Sequence, residues 1–423
     1  MKRDPASDTS PWSRTGVSVA VVLAFAVPAL ALIFAGVQRT ASYADQVEYH
    51  LPTIEQFARQ WPAFDFSSYP AAMTPGYHLL MAAILKVGGC VLALQLATLA
   101  ITAGLLATLA WTVSRRFRPL DAVLLCLPMA WSQYVLLGGV YVVPHNLAWW
   151  GALVILIIVT AVPWSAWSAV AGGGMLAATV LVRQIHLWPA AGIVTAATFA
   201  DGVGFDHIGV RARRTLIALA CCLPAIGVLF YFYTLWGSLA PTSQPWAKPA
   251  DGVNVAAIAM VLATFGLLAP LLIGRFPADR RQWLATVVGG TLGAIVALST
   301  ATTYDSGAGR WSGLWNLANL LGTVADRSVL ITLLSSAGAA SVGLLLASLD
   351  KRQAYIWAVL IAGFAASSAA VNLAWQRYYE PLVLMAVILM LRAEPRVSAM
   401  QRCARVAIAG VQVALLVMAL RAA

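Results

Sequence analysis

The sequence predicts an all-α integral membrane protein, a multispanning helical bundle that occupies residues 1–423 as a single transmembrane domain. Three observations support this prediction. First, 61% of the 423 residues are apolar and only 10% are charged, which is more apolar surface than a soluble domain can bury. Second, several uncharged apolar runs of about 20 residues are long enough to cross a bilayer as helices. Third, the basic residues cluster in alternate loops.

The longest uncharged runs identify the clearest spans, at residues 17–37, 91–113, 253–273 and 329–349. Runs of this length exclude a transmembrane β-barrel, whose short strands alternate apolar and polar residues. The first run is too long for the apolar region of a signal peptide, so we expect it to remain as a span. The breaks between runs predict about 13 crossings, of which residues 187–200 and 382–391 are short for full spans.

The Lys and Arg distribution predicts the orientation. Eighteen of the 27 basic residues lie near the N-terminus or in alternate short loops: Lys2, Arg3, Arg14; Arg115, Arg116, Arg118; Arg211, Arg213, Arg214; Arg275, Arg280, Arg281; Lys351, Arg352; and Arg392, Arg396, Arg402, Arg405. Because cytoplasmic loops carry such an excess, we expect these groups and the N-terminus to be cytoplasmic. The net charge of +11 then reflects topology, and we expect membrane lipid and no nucleic acid as a partner.

The first outer loop, residues 38–90, contains the most polar segment, Asp45-Gln46-Val47-Glu48-Tyr49-His50-Leu51-Pro52. Asp45 and Glu48 are three residues apart, so one helical turn places both carboxylates on one side, with His50 close by. Carboxylates at an apolar boundary are suited to general-base chemistry. The alternative is a solvated polar loop with an incidental ion pair. The aromatic neighbours Tyr43, Tyr49 and Tyr69 favour a site.

Two short helices are predicted to lie in the membrane plane within this loop. Pro52 can open a helix over residues 53–61, whose apolar side chains fall on one face and whose charged side chains fall on the other. Thr74-Pro75-Gly76 reads as a cap and first turn for a second helix over residues 77–86. Such helices suit a site that receives a lipid-borne substrate from the side.

Two arginine clusters are predicted on the same membrane face. The first is 182–189, with Arg183, Gln184 and His186, and the second is 375–381, with Arg377 beside Tyr378 and Tyr379. Arginine is suited to bidentate binding of phosphate, and aromatic rings beside it are suited to stacking on sugars. The alternative is that each arginine only anchors a helix end at the interface.

Cysteine, metal and glycine patterns add little. Five cysteines show no ligand spacing and predict no disulfide framework. A divalent metal at the acids is compatible with the sequence, but two carboxylates and one histidine are too few ligands to predict one, and no other cofactor is indicated. The run Gly172-Gly173-Gly174 lies in an apolar segment and favours helix packing over phosphate binding.

The acidic segment, with Thr74-Pro75-Gly76-Tyr77 after it, resembles the start of the dolichyl-phosphate-glucose α-1,2-glucosyltransferases of the GT-C class. Arg183-Gln184 resembles the beginning of that family's Arg-Gln-Thr-Asn segment, and Arg377-Tyr378-Tyr379 resembles its late Arg-Tyr-Tyr element. Order and rough spacing agree across most of the chain. The sequence departs from the family where two residues separate Asp45 from Glu48, where Ile185-His186 replaces Thr-Asn, and around 238–255, where the family's Gly-Asp loop is not evident.

The resemblance implies a GT-C fold and the transfer of a hexose, which is glucose in the named family. The hexose would move from a polyprenyl-phosphate donor to a glycan or glycolipid acceptor, with inversion. Asp45 or Glu48 would be the base, and His50, Arg183, Gln184, Arg377, Tyr378 and Tyr379 would bind the donor phosphate and sugar. Few Lys against many Arg, with abundant Ala and Gly, is typical of GC-rich bacteria. The site would face the periplasm from the inner membrane.

A transporter or a flippase of lipid-linked glycans, without chemistry, is the main alternative function, and a structural or assembly subunit is the second. Ion-coupled transporters usually bury acids or lysine at mid-membrane in broken helices. In this sequence every Asp and Glu can be placed in a loop or at a helix end, which favours an enzyme.

Overall fold

A computed structural model describes residues 11–38, 40–202, 208–241, 252–391 and 397–422. Lys2, Arg3, Arg392 and Arg396 of the basic groups, and most of the 238–255 segment, lie outside the described residues. The helices of the first half are α1 (Pro11–Phe34), α2 (Ala41–Asp45), α3 (Leu51–Gln60), α4 (Gly76–Lys86), α5 (Val91–Val113), α6 (Pro119–Ala130), α7 (Gln133–Val140), α8 (His145–Ala161), α9 (Ala166–Val182) and α10 (Pro189–Thr198).

The second half is also helical within the described residues, apart from one small hairpin. Its helices are α11 (Ile208–Trp236), α12 (Val255–Leu267), α13 (Arg280–Leu298), α14 (Val329–Ser348), α15 (Lys351–Ala369), α16 (Glu380–Met390) and α17 (Ala399–Ala422). The hairpin pairs β1 (Thr323–Val324) with β2 (Arg327–Ser328) in antiparallel register. Short 3₁₀ turns lie at Gln184–Leu187, Ala269–Leu272, Gly313–Leu317 and Gln376–Tyr378.

Six helices in the described part of the chain are long and apolar enough to cross a membrane: α1, α5, α11, α13, α14 and α17. The chain bends by 70° between α6 and α7, and the two helices would make a seventh span if they cross as one unit. The described part of the protein is therefore mostly helical, with several apolar helices of spanning length. The predicted count of about 13 crossings is not confirmed, because α8, α9, α12 and α16 are apolar but only 10–17 residues long.

Individual span predictions differ in their outcome. Residues 91–113 form α5, and α14 ends one residue before the predicted limit of 349. The prediction of one continuous span over 253–273 is wrong, because α12 ends at Leu267 and a 3₁₀ turn containing Pro270 follows it. A proline removes a backbone donor and clashes with the preceding turn, so the helix stops there.

The described residues divide into two compact units that are discontinuous in sequence. The N-terminal unit comprises residues 11–112, 130–202, 208–241 and 411–422, and the C-terminal unit comprises 113–129, 252–391 and 397–410. The single transmembrane domain expected over residues 1–423 stays a prediction.

Glycines allow helices of the N-terminal unit to pack closely. A Cβ on Gly173 of α9 would lie 2.1 Å from the Cys221 carbonyl oxygen of α11, so this glycine serves helix packing. Gly76, at the start of α4, approaches α9 in the same way, since its Cβ would lie 2.7 Å from the Leu181 oxygen. The approach of Gly76 holds the end of the first outer loop against the end of α9.

In the C-terminal unit, α14 packs on α12 through Gly338 and Gly266. A Cβ on Gly338 would lie 1.8 Å from the Leu262 carbonyl oxygen, and one on Gly266 would lie 2.0 Å from the Leu334 oxygen. Real side chains do not approach a backbone oxygen this closely. The two helices can therefore meet at this distance only because both positions lack a side chain.

We expect Gly338→Ala to destabilise the protein by about 1 to 3 kcal/mol, because the added methyl group forces α12 and α14 apart. Gly174→Ala, on α9, is the matched control, since a Cβ there meets no atom within 4 Å. Thermal unfolding in detergent measures both. Equal melting temperatures for the two variants would contradict the close packing of α12 and α14.

Two carboxylates are buried in the C-terminal unit, and each lies in the first turn of a helix. Asp121, at the start of α6, accepts a 2.7 Å hydrogen bond from Arg402 Nε, and Arg405 Nη1 lies 3.7 Å away. Glu380, at the start of α16, accepts a 2.6 Å bond from Gln376 Nε2. Both positions agree with the expectation that acidic residues lie at helix ends.

The predicted orientation can be tested by cysteine labelling at position 67. Ser67 is exposed in the loop between α3 and α4, and Cys90 and Cys403 are exposed native thiols on predicted opposite sides. In a Cys90→Ser, Cys403→Ser background, Ser67→Cys should react with an impermeant maleimide added outside. Restoring Cys403 alone supplies the matched cytoplasmic control. Modification of position 67 only from the cytoplasmic side would overturn the topology map.

Candidate functional site

The acidic segment forms one wide helical turn between two α-helices. Gln46–His50 is a π-helical turn that joins α2 to α3, and the Leu51 N–H donates to the Gln46 carbonyl five residues earlier. Such π turns occur often at functional sites. The segment is therefore continuous helix from α2 through α3, and the predicted helix at 53–61 begins earlier, at Leu51.

The two candidate bases lie at the more accessible side of this turn. Asp45 is half-buried and Glu48 is exposed. Burial is the main cause that raises the pKa of the Tyr49 hydroxyl, and the charge and hydrogen bond of Glu48 and the charge of Asp45 raise it further. Both carboxylates are thus close enough to Tyr49 for their charges to act on its hydroxyl.

The amphipathic character predicted for the next helix is confirmed. Ile54 and Phe57 of α3 are fully buried, whereas Glu55 and Arg59 are exposed and form a loose ion pair at 3.9 Å. The Phe57 ring packs edge to face on Tyr69 at 5.2 Å between centroids. This aromatic packing fixes α3 against the remainder of the first outer loop.

The second helix, α4, begins at Gly76 as predicted to within one residue, but its cap differs. Pro75 is the capping residue, and the Thr74 hydroxyl donates to the Val180 carbonyl at 2.7 Å. The expectation that Thr74 caps the helix is therefore wrong. Its hydroxyl instead ties the loop to the end of α9, because the close approach at Gly76 brings that carbonyl within reach.

A buried amide ties the acidic turn to the segment before α8. Gln46 is 3% exposed, and its Oε1 accepts a 2.8 Å hydrogen bond from the Val142 N–H. The Tyr141 hydroxyl donates to the Val37 carbonyl at 2.9 Å at the end of the first helix. Residues 141–142 therefore anchor both ends of the stretch that leads into the acidic turn.

Arg183 lies at the end of α9, where it is 9% exposed. Its Nη1 lies 2.8 Å from His145 Nδ1, at the start of α8. A guanidinium has only donors, so His145 accepts through Nδ1 and carries its proton on Nε2. Sequence reasoning missed His145, because its 38-residue separation from Arg183 follows no pattern.

Gln184 has a supporting role in the structure. Its Oε1 accepts from the Thr74 N–H at 3.2 Å, and its Nε2 donates to the carbonyls of Ala72 at 3.2 Å and Leu239 at 2.8 Å. These bonds use both amide hydrogens. In this conformation the amide holds three backbone segments together, and its expected contact with the donor stays a prediction.

His186 is buried, with 1% exposure, and lies edge to face with Trp149 at 4.5 Å between centroids. Burial, and secondarily the charge of Arg183, hold the pKa of His186 well below its usual range. The ring is therefore neutral at pH 7. It packs under the Arg183 segment rather than at an accessible surface.

His50 is also buried, and it forms a pair that the sequence did not reveal. Its Nδ1 lies 3.0 Å from Nε2 of His78, a fully buried residue in α4. Burial, and secondarily the charge of His50, hold the pKa of His78 well below its usual range. The pair joins the acidic turn directly to α4.

The second predicted cluster lies in the C-terminal unit, where an aromatic group surrounds Arg377. The guanidinium carbon lies 4.2 Å from the Trp375 ring centre and 5.1 Å from that of Tyr378, and Nη2 donates to the Tyr378 hydroxyl at 3.2 Å. Trp311, which is 37% exposed, meets Trp375 edge to face at 4.6 Å. Trp311 and Trp375 were missed as neighbours because 64 positions separate them in the chain.

Backbone contacts hold this second cluster in place. Leu314 N–H donates to Gln376 Oε1 at 2.8 Å, and Trp315 Nε1 donates to the Ala374 carbonyl at 2.6 Å. Tyr379 is 1% exposed, and its hydroxyl donates to the Leu373 carbonyl at 3.2 Å. Tyr379 therefore packs the segment in this conformation, and its expected contact with the donor stays a prediction.

Among the described residues, no three His, Cys, Asp or Glu side chains come together as a metal-ligand set. The chain matches no family model, and no curated protein or solved structure is significantly similar to it. The chemistry of the side chains is therefore the basis for a functional proposal.

Proposed function

We propose that the protein is a GT-C-type glycosyltransferase that moves a hexose from a polyprenyl-phosphate donor to a hydroxyl of a glycan or glycolipid acceptor. One observation carries the proposal: hydrogen bonds join the acidic turn, the start of α8 and the end of α9 within the N-terminal unit. Gln46 bonds Val142, His145 bonds Arg183, and Gln184 bonds Thr74. A base and a phosphate-binding cation are thereby supported by one connected framework.

The proposed reaction is a single displacement. Asp45 or Glu48 takes the proton from the acceptor hydroxyl while its oxygen forms a bond to the anomeric carbon. The bond from that carbon to the phosphate oxygen breaks, its electron pair leaves with the polyprenyl phosphate, and the anomeric configuration inverts. Arg183 stabilises the negative charge of the leaving phosphate through charge-assisted hydrogen bonds.

The shape of the framework supports these roles. Arg183 is fixed by His145, so its position depends little on side-chain rotation and the entropy cost of orienting it is already met on folding. Asp45 and Glu48 remain more accessible than the Gln46 and His50 side chains of the same turn. Arg377 and Tyr378 of the C-terminal unit are a second candidate pair for phosphate and sugar, and substitution of Arg377 tests this role.

The test is to incubate purified protein with a panel of polyprenyl-phosphate hexoses and acceptor glycolipids. We expect release of free polyprenyl phosphate together with a glycosylated acceptor of inverted configuration. The same protein in vesicles can be assayed for movement of the labelled donor between leaflets. Movement of donor without any release of polyprenyl phosphate would replace the proposal with the flippase alternative.

A further inference from the structure

The geometry of the His50–His78 pair limits which ring nitrogens can carry a proton. The two nitrogens that meet, Nδ1 of His50 and Nε2 of His78, are 3.0 Å apart, which is a hydrogen-bond distance. The rings are buried, with 3% and 0% exposure. A hydrogen bond between two neutral imidazoles needs one nitrogen to donate and the other to accept, so only two tautomer arrangements are available.

The remaining nitrogen of His78 distinguishes the arrangements. Nδ1 of His78 is buried and meets no hydrogen-bond partner among the described residues. The neighbouring hydroxyls are directed elsewhere, because Tyr69 donates to the Met73 carbonyl and Tyr77 pairs with Thr98 Oγ1 at 2.8 Å. Nδ1 of His78 is therefore either an unprotonated nitrogen whose lone pair meets no donor, or an N–H group without an acceptor.

A buried N–H group without an acceptor is the rarer and less favourable of these states. His78 therefore keeps its proton on Nε2 and donates it to Nδ1 of His50. A neutral His50 whose Nδ1 accepts must carry its own proton on Nε2. The reverse arrangement would leave His50 with a basic Nε2 and His78 with an orphaned donor.

The doubly protonated pair is excluded by the same geometry. Protonating both rings would place two positive charges and two N–H groups opposite each other at 3.0 Å in a buried site. The burial of His78 and its contact with His50 both disfavour its cationic form. His78 therefore stays in its neutral form, which carries one proton on a single ring nitrogen.

We infer that His78 is a positioning residue that holds His50 as the neutral tautomer protonated on Nε2. His50 is then a hydrogen-bond donor within the acidic turn and cannot act as the general base. This role of His50 rests on the proposed transfer reaction. In that reaction the Nε2–H group of His50 donates a hydrogen bond to a negatively charged oxygen, such as one on the phosphate of the sugar donor. Asp45 or Glu48 then accepts the proton of the acceptor hydroxyl.

Nuclear magnetic resonance of protein with labelled histidine measures the tautomers directly, since protonation at Nδ1 or Nε2 gives different ring carbon and nitrogen shifts. The chain has 5 histidines, and His50→Gln assigns the relevant signals by their loss. We expect His50 in the wild type to be protonated on Nε2 at pH 7. A His50 signal from the Nδ1-protonated tautomer would overturn the inference, with or without transferase activity.

Two variants of His78 separate positioning from packing. The amide of His78→Gln can place an N–H group near the original Nε2, whereas His78→Leu fills the space without a donor. We expect His78→Gln to retain the His50 tautomer and most of the donor affinity. His78→Leu should populate the other tautomer and lower donor affinity about tenfold at a similar melting temperature. An unchanged His50 tautomer in His78→Leu would contradict the inference.

The outcomes also separate this inference from the proposed function. The expected tautomer without any sugar transfer would support the positioning role of His78 and reject the transferase. Sugar transfer together with the Nδ1-protonated tautomer would support the transferase and reject the positioning role. If His78→Leu does not fold, the wild-type spectrum and His78→Gln still decide between the two tautomers.

Discussion

Asp45→Asn and Glu48→Gln are expected to lower sugar transfer by about a hundred- to ten-thousand-fold at the position that supplies the base, because removing a general base typically has this effect. Both substitutions preserve shape and remove the charge that accepts the proton. Donor affinity and melting temperature should change little, since Asp45 is half-buried and Glu48 is exposed. Initial rates of polyprenyl phosphate release measure the effect, with each variant and the double variant compared at saturating donor.

Glu55→Gln is the matched control for this experiment. Glu55 lies on α3 close in sequence to the two acids, and its side chain makes only a loose 3.9 Å ion pair with Arg59 on the exposed face. An exposed pair of this kind contributes little to stability. Its loss should leave the rate unchanged. Full activity in both single variants and in the double variant would show that the acidic turn is not catalytic.

Arg183→Ala is expected to weaken donor binding about ten- to a hundred-fold. Arg183→Lys should cause only part of that loss. Lysine keeps the charge but loses the planar fork, so it cannot contact both His145 and a phosphate with the same geometry. Titration of a polyprenyl-phosphate hexose into detergent-solubilised protein measures the affinity. The corresponding change at Arg377 tests the second candidate in the same assay.

An arginine that only anchors a helix end would behave differently. Lysine would then replace it without any effect on donor affinity, and alanine would lower the melting temperature instead. Affinity and melting temperature are therefore measured side by side for Arg183→Lys, Arg183→Ala and Arg377→Lys. Unchanged donor affinity in all three variants would leave the proposed reaction without either of its phosphate ligands and would count against it.

Local patterns in the sequence were sufficient for the helices that flank the acidic turn. Apolar spacing predicted the buried face of α3, and Pro75-Gly76 predicted the start of α4 to within one residue. The uncharged run 91–113 matched α5. These features depend on interactions within a few residues, where periodicity and proline geometry are strong signals. The extra residue of the π turn at Gln46–His50 has no comparable signal.

The roles of individual polar side chains were harder to predict, because their partners lie far away in the chain. Gln184 was expected to contact a ligand, yet its amide bonds three backbone groups, including one that is 110 positions away. Tyr379 was expected beside the donor and is buried instead. A polar residue near a membrane surface satisfies its hydrogen bonds with whatever packing supplies, and that depends on contacts between helices.

The sequence by itself determined that the chain is helical and apolar, where its most acidic segment lies, and which residues carry the candidate chemistry. These properties follow from composition and from periods of three to four residues. Only the tertiary structure decided that His145 holds Arg183 and that His78 meets His50. The physical reason is that a neutral imidazole has one nitrogen that donates a hydrogen bond and one that accepts. Which of them donates depends on the neighbour that folding brings within about 3 Å.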